Sequence, residues 1–424
     1  MIPLHPLLVG YLVLFVFSTG FRLGLEAVNA GHVERHKGRV PDVFQEVIDQ
    51  ADLARMDRYT LDRVRFSCVE TVAERVLFLG LLLSGVLPWL IQLLQVQEWG
   101  FVGSGLVFFA APAALFFLFD LPFDFHRTFT IEARYGFNTS TRKLWVLDHL
   151  KTAVVALVLG GVLLGLFLLM VSHAGPAWWV WAWAILIAFQ VLMLVLYPTV
   201  IAPLFNTFSP VQDEALVERI RSLAREQGVA VGSILQMDAG RRSRHTNAYF
   251  TGLGRVKRIV LYDTLLQSHD PDEILAVLAH EMGHLKRGHV WKQILILGAA
   301  SLVLLFSASQ LMQWGMLYRA FGFSLTPAYA GLFLAGVLWD PLGFFLSPLS
   351  MALSRRFERQ ADRFAHSTSA GTAPLVRALK KMARDNLANL SPHPAYVRFH
   401  YSHPPLLERI RTLKSLDRRG AFNP

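Results

Sequence analysis

Residues Pro271–His289 read PDEILAVLAHEMGHLKRGH. A proline followed by Asp272 and Glu273 is a helix-start pattern. Ile274, Leu275, Val277 and Leu278 supply a helix-compatible apolar run, and Lys286 and Arg287 suit a last turn, where cations meet the negative end of the helix dipole. Inside lies His280-Glu281-Met282-Gly283-His284, an H-E-x-x-H pattern. Residues four apart share a helix face, so both imidazoles can reach one metal. Glu281 advances about 100° from His280, which sets its carboxylate on the flank of that face, able to deprotonate a metal-bound water. Gly283, without a side chain, leaves room beside the metal. Zinc takes neutral imidazole nitrogens, needs one more protein ligand, and keeps a position open when it catalyses. The pattern is short, and a chain with 15 His can hold it as ordinary core or surface histidines. The predicted helix around it favours ligation.

Hydrophobic residues make up 53% of the chain and charged residues 17%, with a mean hydropathy of +0.39. That is too apolar for a soluble globular protein and indicates a membrane protein. A net charge of +10 can signal nucleic acid, but in a multispanning chain Lys and Arg mark cytoplasmic loops, and no nucleic-acid partner is expected. The single cysteine, Cys68, excludes an internal disulfide and a Cys-built metal site. It reads as a small apolar filler.

Seven apolar stretches approach the ~20 residues that a bilayer core requires: Pro6–Phe21, Val76–Leu94, Phe101–Phe119, Ala153–Val171, Ala177–Leu196, Ile294–Leu317 and Ala328–Leu349. The first lacks a preceding basic segment and a small-residue cleavage pattern, so it reads as an uncleaved anchor. Lys and Arg crowd Arg22–Arg75, recur between the third and fourth spans, and fill Pro198–Gln293 and the tail after Ser354. They are absent from Gln95–Gly100 and Ser172–Pro176. The positive-inside rule then sets the N-terminus outside and the zinc helix and C-terminus in the cytoplasm, and an odd span count agrees.

The expected organisation is membrane helices 1–5 with inner-face loops over 1–197, a first peptidase part over 198–289, membrane helices 6 and 7 over 290–350, and a second peptidase part over 351–424. Pro198–Pro210 reads as a proline-punctuated connector, re-entrant or lying along the interface. Asp213–Gln227 reads as an amphipathic helix. Three short strands follow, Ser233–Met237, Asn247–Gly252 and Arg258–Tyr262, with Gly252 and Gly254 marking the last turn. Asn247, Ala248, Tyr249 and Phe250 are the candidate edge against which an extended substrate pairs; an ordinary strand of a small sheet fits the local sequence equally well.

Two acids compete for the third ligand position. Glu358 lies on a predicted helix just beyond the last span, and Asp362, four residues on, shares its face and can bond a ligand histidine's other nitrogen. Asp340 lies within the seventh span, where an acid is a functional candidate by default. Glu358 is preferred, because Asp272, Glu273, Lys286 and Arg287 bound the zinc helix and hold it at the membrane surface.

With seven spans, the H-E-x-x-H and the later Glu358-x-x-x-Asp362, the chain resembles the integral-membrane CAAX prenyl protease family, type I, a gluzincin zinc metallopeptidase group. The likeness runs through Ile131–Asn138 (IEARYGFN), Tyr197–Pro210 (YPTVIAPLFNTFSP), Thr246–Gly252 (TNAYFTG), His280–His289, Leu353–Ala365 (LSRRFERQADRFA) and Tyr401–Ile410 (YSHPPLLERI). The resemblance implies a mostly α, multispanning membrane protein, with seven transmembrane helices around a chamber and a small α+β zinc metallopeptidase domain. It implies one Zn2+ per chain on His280, His284 and Glu358, with Glu281 as general base and Asp362 in support. Asn247 falls on the family's substrate-binding edge strand, and His403 falls where a histidine helps stabilise the tetrahedral intermediate. Before Pro404 and Pro405, His403 otherwise reads as a helix-start residue.

The expected partners are the bilayer and a peptide or protein substrate, lipidated or embedded in the membrane. The short loop Tyr318–Pro327 and the lack of an evident retention signal resemble bacterial members, so a bacterial inner membrane is expected. Bacteria generally lack protein prenylation, so the fold and chemistry carry over and the prenylated substrate does not. Two other readings remain: a membrane-protein quality-control zinc protease without prenyl specificity, and a transporter with an incidental H-E-x-x-H.

Overall fold

The computed structural model describes residues 5–252 and 256–420; the expected turn residue Gly254 lies outside them. Helix α1 spans Pro6–His36, α2 Gln50–Leu83, α3 Val86–Val96, α4 Gly100–His126, α5 Arg142–His173 and α6 Trp178–Leu196. Among the described residues, six helical segments are long and apolar enough to cross a bilayer: Pro6–His36, Gly100–Glu132, Arg142–His173, Gly175–Phe205, His289–Leu311 and Ala328–His366. Helices α2 and α3 meet at 52° and make the seventh when taken as one broken span. Outward-facing Val13, Leu157 and Leu295 are 65%, 70% and 72% exposed, faces that water would penalise and lipid tails cover.

The second expected span straddles the break between α2 and α3, where Gly85 adopts the left-handed backbone (φ 82) that a continuous helix forbids. The sixth ends at Leu311 rather than Leu317, and a separate short helix, Gly315–Ala320, follows.

The stretch Pro198–Pro210 corrects its sequence reading. It is not a re-entrant connector: α6 runs on through a π-helical turn, Tyr197–Ile201, into α7, Ala202–Phe205. The wider turn accommodates Pro198, whose ring would otherwise clash with the carbonyl one turn back. Phe208–Pro210 then forms a strand, β1, that the sequence reading lacked.

Helix α8, Glu214–Glu226, is capped by Asp213, whose carboxylate accepts from the Leu216 amide. Strands β2 (Ala230–Met237), β3 (Ala248–Thr251) and β4 (Val256–Tyr262) complete a sheet of order β1-β2-β4-β3. Strand β2 runs parallel to β4, with Ile234 opposite Ile259. Strand β3 runs antiparallel to β4, with Ala248 opposite Leu261, and is an edge.

Helices α9 (Asp263–Ser268) and α10 (Pro271–Lys286) follow, then α11 (His289–Leu311), α12 (Gly315–Ala320), α13 (Ala328–His366), α14 (Thr372–Asp385), α15 (Pro394–His400) and α16 (Leu406–Gly420). One core joins the sheet to α8, α10, α14 and α16 through Ile220, Ile259, Leu261, Leu278, Ala279, Leu379 and Leu413. A second, among the membrane helices, gathers Phe15, Phe108, Leu168, Phe321 and Leu334. Burying a side chain such as Leu278, with 0% exposure, stabilises the fold by about 1.5–3 kcal/mol. Such contacts fix where α10 sits.

Candidate metal centre and active site

Helix α10 begins with a capping box: the Glu273 carboxylate accepts from the Asp270 amide while the Asp270 side chain caps the first turn. The helix ends at Lys286, and Gly288 takes the left-handed backbone (φ 64) that turns the chain into α11. His280 and His284 project from one face, beside the C-terminal part of α13.

Gly283 sets that approach, and its role differs from the sequence reading. A β-carbon there would meet Ala361 Cα at 2.8 Å and its carbonyl oxygen at 3.1 Å. The missing side chain makes room for the α13 backbone, not for the metal. Ala361 lies between Glu358 and Asp362, so this contact carries both carboxylates to His280.

His280 Nε2 and His284 Nε2 lie 3.3 Å apart. Glu358 Oε2 is 3.3 Å from the first and Oε1 is 3.3 Å from the second. Among the described residues this is the one His/Cys/Asp/Glu group that could hold a metal ion. Ring tautomers follow from the partners on the far side. His280 Nδ1 is 2.8 Å from Asp362 Oδ1, a carboxylate that only accepts, so Nδ1 carries the proton. His289 Nε2 is 2.9 Å from Gln360 Oε1 and donates to it, leaving its Nδ1 to accept from His284 Nδ1 at 3.0 Å. Both Nε2 lone pairs and the buried Glu358 carboxylate thus converge with no hydrogen between them, and Glu358 Oε2 has no hydrogen-bond partner. An acceptor-only cluster of this kind fits a cation.

Burial alone lowers the His280 pKa, but Asp362 and Glu358 outweigh it and raise it to about 9. A cation bound among the same atoms would take the place of that proton. Glu281 is half-buried and makes no side-chain hydrogen bond among the described residues; burial raises its carboxyl above the ordinary range, while His280 and His284 pull it down. His403 Nε2 stands 3.3 Å from Glu358 Oε1, its ring 60% exposed. Desolvation lowers its pKa and Glu358 opposes that. His403 is not at a helix start: Pro404 and Pro405 separate it from α16. Asn247 precedes β3 rather than lying in it, its side-chain oxygen accepting from the Ala248 amide at 2.8 Å. Ala248 and Tyr249 lie in the strand, which packs against α10.

Asp340 is elsewhere. It sits eighteen positions before Glu358 on the same helix, about 27 Å at 1.5 Å per residue, and accepts from Arg75 Nη1 at 2.5 Å.

Three residues at the site were not singled out from sequence. Arg409 is buried and grips Asp362, Nε to Oδ2 at 3.0 Å and Nη2 to Oδ1 at 2.6 Å, a bidentate pair that orients the partner of His280. His289 and Gln360 do the same for His284. His289 was in view, but only the turn at Gly288 brings it back to His284. A cavity of about 720 Å³ opens beside His403 and Arg409 and reaches Tyr59, Arg63, Tyr396 and Tyr401.

Comparison with known proteins agrees with this architecture. The CAAX prenyl protease N-terminal family, five membrane helices, matches residues 29–207, and peptidase family M48 matches residues 210–417. The chain is 32% identical to a CAAX prenyl protease 1 homolog of Arabidopsis thaliana over 99% of each chain. It is 31% identical to CAAX prenyl protease 1 of Saccharomyces cerevisiae over 88% of each. The crystal structure of S. mikatae Ste24p superposes with a TM-score of 0.91 at 29% identity, covering 97% of this chain and 100% of that one.

Proposed function

The chain belongs to peptidase family M48, as an integral membrane protease similar to the CAAX prenyl proteases, and from that premise we propose that it is a zinc endopeptidase. The observation that carries this reading is the convergence of His280 Nε2, His284 Nε2 and an unpartnered Glu358 oxygen. These three residues would hold one zinc per chain. When bound, the ion supplies Lewis-acid polarisation of the scissile carbonyl and acidifies the attacking water.

The protein's own groups do the rest. Glu281 takes a proton from the attacking water as its oxygen bonds the carbonyl carbon. As the C–N bond breaks, Glu281 returns that proton to the leaving amine. His403 donates to the developing oxyanion. Asp362 with Arg409, and His289 with Gln360, keep the two imidazoles in the tautomer that offers Nε2. The substrate backbone lies extended along the free edge of β3, with Asn247, Ala248 and Tyr249 beside it.

The zinc-bearing parts, 198–289 and 351–424, lie in the cytoplasm with the C-terminus, and the N-terminus lies outside, in a bacterial inner membrane. A reporter fused after Pro424 is expected inside and one near Glu98 outside; both on one side refutes the topology. A substrate recognised by its backbone is preferred over one recognised only by a lipid, because the cavity beside His403 mixes polar Tyr59, Arg63 and Tyr401 with apolar Val64, Phe66 and Ile131. Cleavage of an unfolded, unprenylated membrane protein is therefore expected alongside cleavage of a prenylated tetrapeptide-ending one. Strict dependence on the prenyl group overturns that preference. Hydrolysis without zinc in the purified protein, or full hydrolysis by Glu281→Gln, overturns the mechanism.

A further inference from the structure

The stretch Ile131–Asn138 makes no side-chain hydrogen bond to the candidate metal ligands among the described residues, yet it is tied to the segment that feeds β3. Glu132 Oε1 accepts from the Tyr59 hydroxyl of α2 at 2.7 Å. Its other oxygen is buried without a hydrogen-bond partner and faces His245 Nε2 at 3.7 Å. The far side of that imidazole, Nδ1, lies 2.9 Å from Asn386 Oδ1 and donates to it, and the ring stacks on Phe137 at 4.4 Å. The Glu132 carboxylate raises the His245 pKa, as expected for an ion pair.

The backbone is fastened as well. The Arg244 amide donates to the Phe137 carbonyl at 3.1 Å, and the Thr139 amide to the Arg242 carbonyl at 3.3 Å. Arg242 grips Asp148 of α5 through two bonds of 2.7 and 3.0 Å. Residues 242–245 are thus fastened to α5 and to the 137–139 turn, while Asn247 joins the sheet, its carbonyl accepting from the Tyr262 amide of β4 at 3.1 Å. What they lead into is the open edge. A slip of one residue in a strand turns every side chain to the opposite face, so the lead-in, together with the pairing of Ala248 opposite Leu261, sets which groups β3 presents. Tyr59 and Asn386 also line the cavity that reaches His403, so the relay stands between that cavity and the strand.

We propose that Glu132 is a positioning residue for substrate: clamped by Tyr59 and acting through His245, it fixes the lead-in 242–247 so that the free edge of β3 meets the scissile backbone. This rests on the reading of β3 as the substrate-pairing edge. The relay touches no reacting atom, so its loss shows in KM and not in kcat or zinc content.

The test uses the full-length protein in detergent, a quenched-fluorescence peptide selected for cleavage by wild type, and the same peptide N-methylated beside the scissile bond to block strand pairing. Glu132→Gln and His245→Gln are each expected to raise KM about tenfold, with kcat and bound zinc within about twofold and no further loss in the double variant. The wild-type preference for the unmethylated peptide shrinks in both. Glu132→Asp restores part of the loss. Unchanged KM with an intact preference overturns the proposal, and so does a fall in kcat or zinc at unchanged KM. If Glu132→Gln does not fold, Tyr59→Phe, which keeps the ring and removes the hydroxyl, decides between the same outcomes. Equal cleavage of both peptides by wild type instead refutes β3 as the pairing edge, whatever the variants do.

Discussion

Replacing Asp362 with Ala acts on two neighbours at once. His280 Nδ1 loses its acceptor at 2.8 Å, so the ring is no longer held with Nε2 toward Glu358 and His284. Loss of such an outer partner typically weakens metal binding about 10–100-fold. Arg409, only 8% exposed, loses both of its bonds and is left as an unpaired buried cation, which costs about 3–5 kcal/mol of stability. The two effects separate in a second variant. In Asp362→Ala/Arg409→Met an apolar side chain of similar length fills the guanidinium site, so stability should return, because uncharged packing is no worse than a buried ion pair. Zinc affinity should stay weak, since His280 is still unheld. Asp362→Asn, which keeps an acceptor oxygen for His280 and loses the charge facing Arg409, should fall between. Chelator competition measures the zinc affinity, and thermal unfolding in detergent the stability. Recovery of both properties in the double variant refutes the orienting role and leaves Asp362 as Arg409's counter-ion alone.

Glu281→Gln should retain zinc and lose turnover by about 100-fold or more, since an amide cannot accept the proton from water; turnover within a few-fold of wild type means another base acts. Glu358→Asp should bind zinc poorly, because shortening by one methylene withdraws the carboxylate from the roughly 2.0–2.2 Å bonding distance; wild-type affinity refutes direct ligation. His245, whose folded pKa lies above its ordinary 6.5, should stabilise the lead-in fully below that value and lose the contribution as pH rises through the folded pKa. Hydrogen-exchange protection of the 242–247 amides, corrected for intrinsic rates, should fall accordingly, and in Glu132→Gln it should not vary with pH.

What could be read from the chain depended on how local each signal was. Helix α10 carries its start, apolar face and end within sixteen residues, so periodicity and end chemistry locate it. The pairing of Glu358 with Asp362 was legible because four residues on a helix is a fixed geometry. The break at Gly85 was hidden because both flanks are apolar, and hydropathy alone does not register a left-handed residue. Pro198 was read as opening a proline-punctuated connector, whereas the π-helical turn absorbs it. Gly283 was correctly seen as a position needing space, but only the packing of α10 on α13 says for what. Gln360 lies between Glu358 and Asp362, and Arg409 lies six residues after His403, but only the packing of the helices shows that their side chains reach the site.

Zinc stoichiometry of the purified protein, measured by elemental analysis beside the Glu358→Ala, His280→Ala and Asp340→Ala variants, tests the metal centre most directly. The expected result is about one zinc per chain in wild type and Asp340→Ala, and little in Glu358→Ala or His280→Ala, as a site with only three protein ligands requires. Zinc retained by Glu358→Ala and lost by Asp340→Ala would contradict the assignment and move the metal into the membrane, about 27 Å along α13.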